Sequence, residues 1–396
     1  LHQLELFLWD KHDRLLLMNH EVVVQYGGYP TLDVVNKILV VKLRSHGDVL
    51  LTSPLFALLK ERFPAASIGA YLYHDTLPML EGHPAIDHFL LCDRRARSAS
   101  LVSRIGSELK RLWQIRLAHY DLVINLTEGD RGALAARCSR ARIRVGMDPG
   151  NSGIRGKGSW YTHLVKGCQT PRHTVERDLD ALRRIGIFPP PEGLDLVFQI
   201  PKETMARLQE RLAAVGLRPG GFLLLHPTAR WRFKSLPVST LAAVVARWRE
   251  ETGLPVLLSS GPGEDEIRMI EEIAAQLDSQ EGIVSFAGTL SLKELGGLIS
   301  LAKVTLSADS AALHLASAVK APIVATFGPT SELRWGPWRN PYARIVTSNQ
   351  SCRPCFQDGC GGSKRSECLV AISAERLVSE LKIAAEVGFA SLGAGQ

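Results

Sequence analysis

The sequence predicts an α/β protein made of two Rossmann-like, doubly wound domains that face an interdomain cleft, and three observations carry that prediction. KILVVKLR, beginning at Lys37, is a short unbroken apolar run, as expected of a parallel strand buried on both faces. Such runs alternate with helix-periodic stretches, in one series before residue 187 and in another after residue 195. Between the series lies IFPPPEGLD, residues 187–195, whose three consecutive prolines fit neither a helix nor a central strand and mark a stiff connection. The 396 residues suit two domains at about 100–200 residues each. With 45% hydrophobic and 22% charged residues, 34 Gly and 21 Pro, collagenous, coiled-coil and wholly disordered chains are excluded.

Residues 1–36 have weak periodicity and read as an N-terminal extension. The first domain, residues 37–190, begins with the Lys37 strand, the loop SHGD and one helix over residues 49–62 that Pro64 closes. Strands follow near residues 68–72 and 88–91, then a helix at 103–118, a strand at 121–126, a helix at 132–138 and a strand at 142–146. The second domain, residues 191–350, repeats the pattern with strands at 222–226, 255–259, 284–286, 303–306 and 322–327. Helices at 237–251, 264–277, 292–301 and 311–319 alternate with them. Residues 351–396 hold a cysteine-containing loop and a C-terminal helix.

The 47 basic and 40 acidic residues leave a net charge of +7. Residues 94–116 carry Arg94, Arg95, Arg97, Arg104, Lys110, Arg111 and Arg116 against Glu108 alone, and residues 131–157 carry Arg131, Arg137, Arg140, Arg142, Arg144, Arg155 and Lys157 against Asp148. Either stretch alone reads equally as a solvated face, but two in one domain favour an anionic partner. No nucleic-acid motif accompanies them, so a phosphorylated substrate or an anionic membrane surface is expected rather than nucleic acid. No apolar run reaches the roughly 18–20 residues of a membrane span. The opening apolar stretch is broken by Asp10, Lys11, Asp13 and Arg14, unlike a signal peptide, so a cytoplasmic protein is expected. Of seven cysteines, Cys352, Cys355, Cys360 and Cys368 form C-x2-C-x4-C-x7-C. The first pair makes a zinc half-site, but the remaining spacing matches no standard knuckle. Free or structural thiols are the expectation, with no metal.

Four strand-end motifs carry the chemistry. In KLRSHGDVLLTSP, Gly47 allows close backbone approach and Asp48 stands at a helix N-terminus. There Asp48 is either a helix cap or a carboxylate able to take a proton from a hydroxyl, with Arg44 and His46 beside it. In LLLHPTARWRFKSLP the strand ends at His226, and Thr228, Arg230, Arg232 and Lys234 follow, which suits a pyrophosphate. LLSSGPGEDE turns through Gly261 into a helix whose first turn holds Glu264, Asp265 and Glu266. These acids favour the helix dipole whatever their function, and one of them could bind ribose hydroxyls. In LSADSAALHLASA, Asp309 and Ser310 precede a helix of small residues, Ala311 among them. Its first amides form an anion site, and His314 reads as either a ligand contact or a packed core residue. FGPT, with Gly328, ends the next strand. Together the last three motifs describe a site for a diphosphate-bearing nucleotide. No GxxxxGK[ST] loop and no first-turn G-x-G-x-x-G is present.

In this order, R-x-H-G-D, TARWRFK, DSAALHLA and FGPT resemble the ADP-heptose:lipopolysaccharide heptosyltransferases, glycosyltransferase family 9. LRSHGDVLLTSP, YLYHDTLPML, DLVINLT and HPTAR are most similar to the members that add the branching heptose of the inner core. The resemblance spans residues 37–381. It implies a GT-B architecture, an acceptor held by the first domain, a donor held by the second, and an inverting transfer with no cofactor or metal. It implies Asp48 as the catalytic base and Thr228, Lys234, Gly261, Glu264, Asp309, Ser310, Ala311, His314 and Gly328 at the donor. Many members carry Gly at the position of Ala311, and the choice between Glu264 and Glu266 stays open. Arg44, His46 and Thr127 fall on the acceptor side. The implied partners are ADP-heptose, the lipopolysaccharide inner core and the anionic inner face of the inner membrane. Two other readings remain: a nucleotide-sugar epimerase of the same fold, which turns over donor without lipopolysaccharide, and a non-catalytic glycolipid-binding protein, which releases no ADP.

Overall fold

Every strand pairing among the described residues is parallel, so each strand must return through a crossover that covers a face of its sheet. The structure is a computed structural model that describes residues 28–94, 101–167 and 170–392. The first half builds β1 (Lys37–Val41), α1 (His46–Leu50), α2 (Ser53–Arg62), β2 (Ser67–Tyr73), β3 (His88–Cys92), α3 (Leu101–Leu117), β4 (Leu122–Asn125), α4 (Asp130–Ser139), β5 (Ile143–Met147), β6 (His163–Val165) and α5 (Thr174–Arg183). The second half builds α6 (Lys202–Ala214), β7 (Leu223–His226), α7 (Val238–Thr252), β8 (Val256–Leu258), α8 (Glu264–Ala275), β9 (Ile283–Ser285), α9 (Leu292–Leu301), β10 (Val304–Ala308), α10 (Ala311–Ala318), β11 (Ile323–Thr326), α11 (Glu332–Trp335), β12 (Ala343–Val346), α12 (Glu367–Val370) and α13 (Ala374–Leu392).

The two six-stranded sheets share one topology. Their orders are β3-β2-β1-β4-β5-β6 and β12-β11-β10-β7-β8-β9. In each, strand order reverses between the first and fourth strands of the half, which is where doubly wound sheets open a crevice for a ligand. The crevices therefore lie beyond the ends of β1 and β4 and beyond the ends of β7 and β10. Ile38, Leu39, Val40 and Val41 are buried, as are Leu223, Leu224 and Leu225, which explains why both central strands read as unbroken apolar runs.

The fold departs from the sequence expectation in several places. The single helix expected over residues 49–62 is two helices. Pro54 has no amide to donate, and the chain turns at Leu51–Thr52, where the Thr52 hydroxyl donates to the Val49 carbonyl at 2.6 Å. The sequence expectation has no β6, α5, α6 or β12. β6 has three residues, and β12 is an edge strand with only Val346 buried, so neither gives an apolar run. α5 and α6 do carry helical spacing, at Val175, Leu179 and Leu182 and at Leu208 and Leu212, among many charges. α13 lies against α7 and the second sheet, burying Leu377, Val378 and Leu381 in one cluster with Trp248, so the C-terminal helix completes that sheet's core. The proline connection is held down by Trp338, whose indole donates to the Leu194 carbonyl at 2.6 Å. Residues 1–27 of the N-terminal extension lie outside the described residues. The rest of it joins the first sheet, where the Asn36 and Lys37 amides donate to Asp121 at 2.8 and 2.9 Å.

Candidate functional site

Only four residues separate β1 from α1, so the helix carries Asp48 over the first crevice. The helix cap position belongs to Ser45, not Asp48, which sits in the first turn. The Asp48 carboxylate accepts no hydrogen bond among the described residues and lines a small polar pocket with Lys42, Arg44, Leu126, Glu128, Thr174, Arg177, Asp178 and Trp335. That arrangement removes the capping explanation of Asp48. Beneath it, Lys42 donates to Asp178 at 2.6 Å, with both side chains under 5% exposed. Burial pushes the Asp178 carboxyl up, the Lys42 ammonium pulls it down, and the nearby Asp48 charge adds to the rise. Glu128 and Arg177 form a second ion pair at the rim.

The glycine of the R-x-H-G-D turn has a different purpose from the one its sequence suggests. A Cβ on Gly47 would lie 2.4 Å from His314 Cδ2, so what approaches the backbone there is a side chain from the other half of the protein. His314 is buried on α10, and its Nδ1 has no partner among the described residues. It thus joins the two crevices at Asp48's neighbour. Burial pushes the His314 pKa down to about 4 from 6.5. The folded protein keeps it neutral while the unfolded chain takes up a proton below pH 6.5. Stability is therefore full above that pH and falls as pH drops toward 4, by about 3 kcal/mol from this group. Urea midpoints measured at pH 7 and pH 4.5 will show a smaller acid loss in His314→Gln than in the wild type.

The second crevice gathers most of the expected donor residues. Lys234 donates to Asp309 at 2.7 Å, and Thr330 donates to the same carboxylate oxygen at 2.7 Å. The Lys234 ammonium also lies 5.9 Å from the Trp335 ring centroid. The Thr228 hydroxyl is buried without a partner among the described residues, as a group awaiting a ligand would be. Ser310 caps α10 with no side-chain bond, its hydroxyl resting 3.2 Å from that of Ser307, so the first amides of the helix at Ala311 and Ala312 keep no intrahelical acceptor.

Several expected residues are placed otherwise. Glu264 is exposed at the start of α8, while the half-buried Glu266 folds back over the turn, its Oε2 2.5 Å from where a Gly261 Cβ would be. Of the two acids, Glu266 is the one that faces the Gly261 turn. Gly328 is a glycine because Leu369 fills the space beside it, and its carbonyl accepts from Arg353 at 2.7 Å; both partners belong to the C-terminal segment. On the other side, His46 is tied to the Asp75 carbonyl at 3.0 Å, and Thr127 is buried with its hydroxyl oxygen accepting from the Leu43 amide at 3.0 Å. Both hold the crevice together. Arg44 is exposed and lines the pocket. The sequence reading missed Lys42, Glu128, Thr174, Arg177, Asp178 and Trp335. A lysine ending an otherwise apolar strand was the available signal for Lys42.

α5 and α11 close the junction beside the pocket. His173 lies 3.0 Å from the Gly336 carbonyl and stacks on Trp338 at 4.6 Å, and the Thr174 hydroxyl donates to the Arg334 carbonyl at 2.9 Å. The cysteines of the C-terminal loop, Cys352, Cys355, Cys360 and Cys368, are free. Among the described residues no three His, Cys, Asp or Glu are arranged to hold a metal ion.

The basic stretches shrink in the structure. Arg94 pairs with Asp75 at 2.8 Å, Arg111 and Arg131 share Glu108, and Lys157 is buried against Asp130 at 2.8 Å. Arg95, Arg97 and the side chain of Arg104 lie outside the described residues. Lys110, Arg137, Arg140, Arg142 and Arg155 remain exposed.

Two doubly wound sheets with apposed crevices, a free carboxylate on one side and a lysine, a buried hydroxyl and open helix amides on the other, define a GT-B nucleotide-sugar transferase. Residues 109–364 match glycosyltransferase family 9 (heptosyltransferase). Lipopolysaccharide heptosyltransferase 3 of Escherichia coli K12 is 32% identical over 315 residues, covering 79% of this chain and 88% of the relative. Among solved structures, a family 9 glycosyltransferase from Veillonella parvula superposes with a TM-score of 0.74 at 20% identity, covering 88% of this chain and 97% of that one. The E. coli ADP-heptose lps heptosyltransferase II superposes with a TM-score of 0.70 at 22% identity, covering 88% and 98%. The chain belongs to glycosyltransferase family 9, the heptosyltransferases. Membership favours the transferase over the epimerase and the non-catalytic glycolipid-binding protein.

Proposed function

We propose that this enzyme moves heptose from ADP-L-glycero-β-D-manno-heptose to a heptose of the lipopolysaccharide inner core, with inversion at the anomeric carbon. The observation that carries this reading is the apposition of Asp48 to the α10 crevice through the Gly47–His314 contact. The acceptor hydroxyl oxygen attacks the anomeric carbon from the face opposite ADP. The bond from that carbon to the phosphate oxygen breaks, its electron pair leaves with ADP, and Asp48 takes the hydroxyl proton. Lys234, the Thr228 hydroxyl and the first amides of α10 meet the charge that develops on the diphosphate, a task that divalent metal performs in other transferases. Glu266 binds the ribose. Mass spectrometry of truncated core lipopolysaccharide incubated with ADP-heptose and the protein tests the assignment: a gain of one heptose supports it, and donor consumption without acceptor refutes it.

Lys234→Ala removes a cation from the diphosphate and leaves the Asp309 carboxylate facing it unpaired. A charge-assisted hydrogen bond is worth about 1.5–3 kcal/mol, so ADP affinity measured by calorimetry will fall about 10–150-fold. Unchanged affinity would move the donor away from this crevice. We further propose that the enzyme works at the anionic cytoplasmic face of the inner membrane, where its acceptor is anchored. No helix among the described residues is long and apolar enough to cross a membrane, and the exposed cations of the first half suit a surface of opposite charge.

A further inference from the structure

α3 has one face that the fold leaves uncovered. Its inner side is occupied: Ile115 is buried, Leu112 packs beside it, and Glu108 pairs with Arg131 of α4 at 3.2 Å. Its outer side presents Ile105, Leu109, Trp113 and Leu117, which are 52, 61, 64 and 56% exposed. Spaced four residues apart, they form one continuous apolar ridge along three turns of helix. Single exposed apolar residues are ordinary on a protein surface, but an aligned row that includes a tryptophan marks an interaction site.

The charge around the ridge selects the partner. Lys110 is exposed beside Leu109, and on α4 and the segment after it Arg137, Arg140 and Arg142 are exposed with no carboxylate partner among the described residues. A two-fold contact between copies through α3 would bury the ridge but supply no opposite charge to these cations. An anionic surface with an apolar interior satisfies both features. The location fits as well. Arg94, two residues past β3, donates to Asp75 at 2.8 Å and to the carbonyl of the pocket residue Arg44 at 2.6 Å, and Arg131 bridges the Asp93 carbonyl and Glu108 of α3, each at 3.2 Å, which ties α3 to the rim of the Asp48 pocket.

We propose that α3 lies in the plane of an anionic bilayer, with Ile105, Leu109, Trp113 and Leu117 inserted below the headgroups and the neighbouring cations on lipid phosphates. Helices with an apolar Trp/Leu face flanked by Lys and Arg bind membranes in this way. This deepens, and rests on, the membrane placement proposed above, and it names the element responsible.

The test is co-sedimentation of the full chain with vesicles of phosphatidylethanolamine containing about a quarter phosphatidylglycerol, and with phosphatidylcholine vesicles as the neutral comparison. The wild type is expected to pellet with the anionic vesicles. The Ile105→Ser/Leu109→Ser/Trp113→Ser variant is expected to partition about 30-fold or more weakly. Arg137→Gln/Arg140→Gln/Arg142→Gln is expected to lose much of the preference for anionic over neutral vesicles, together with its salt sensitivity. ADP release with a water-soluble, delipidated core acceptor is read in parallel. Wild type that binds vesicles but releases no ADP would count against the transferase reading and leave the membrane inference standing. The inference is overturned if the wild type ignores anionic vesicles or if the ridge variant binds them equally well. It is also overturned if sedimentation equilibrium finds a wild-type dimer that the ridge variant turns into a monomer.

Discussion

Asp48→Asn will lower turnover by about 10²–10⁴-fold, the usual contribution of a general base, while ADP affinity stays at the wild-type value. The amide keeps the size of the carboxylate and cannot take the proton. The separation of the two readouts follows from position, because Asp48 stands on α1 over the first crevice while Lys234, Thr228 and Asp309 belong to the second. Stability should change little, since the cap position belongs to Ser45 and the Asp48 carboxylate supports no hydrogen bond among the described residues. Single-turnover measurements with saturating donor and acceptor separate the chemical step from binding. Turnover within a few fold of wild type would remove Asp48 from the mechanism, and a matching loss of ADP affinity would mean that the two crevices do not divide the work.

Asp178→Ala will destabilise the protein by about 3–5 kcal/mol, because it leaves the Lys42 ammonium buried with no countercharge. The pair is 2.6 Å apart, with side chains 3 and 4% exposed, so each charge relies on the other rather than on bulk water. Replacing both ends with apolar residues of similar volume, as in Lys42→Met/Asp178→Leu, removes the buried charge altogether and should recover most of the loss. Urea unfolding of the wild type, the single variant and the double variant closes the comparison. A single variant within about 1 kcal/mol of wild type would mean that the pair is solvated and that its charge is not held beneath the pocket.

Much of the fold was legible because a parallel strand buried on both faces writes itself as a continuous apolar run, as KILVVKLR and LLLH do. The groups gathered at the second crevice were legible for a related reason: Thr228, Lys234, Asp309 and Ser310 sit in loops that begin at the end of a recognisable strand. Elements whose burial is partial were not readable in this way. β12 hides only Val346, and β6 is three residues long.

By itself, the sequence determined the two alternating α/β series, the proline connection between them, and the local motifs that place Asp48 after one strand and Asp309 after another. These depend on neighbours in the chain, which a sequence displays directly. The tertiary structure alone decided which distant groups meet. Lys42 and Asp178, 136 residues apart, become a buried ion pair. Gly47 proves to be a glycine because His314 comes from the other half to occupy the space of its Cβ. Glu266 rather than Glu264 turns toward Gly261, since helical positions two residues apart point about 200° apart and only one of the two faces the turn. Part of the apparent surplus of cations in residues 131–157 disappears into pairs and carbonyl contacts, at Arg131, Arg144 and Lys157, while Arg137, Arg140, Arg142 and Arg155 stay exposed. Long-range electrostatics and packing depend on distance in space, and distance along the chain carries almost no information about either.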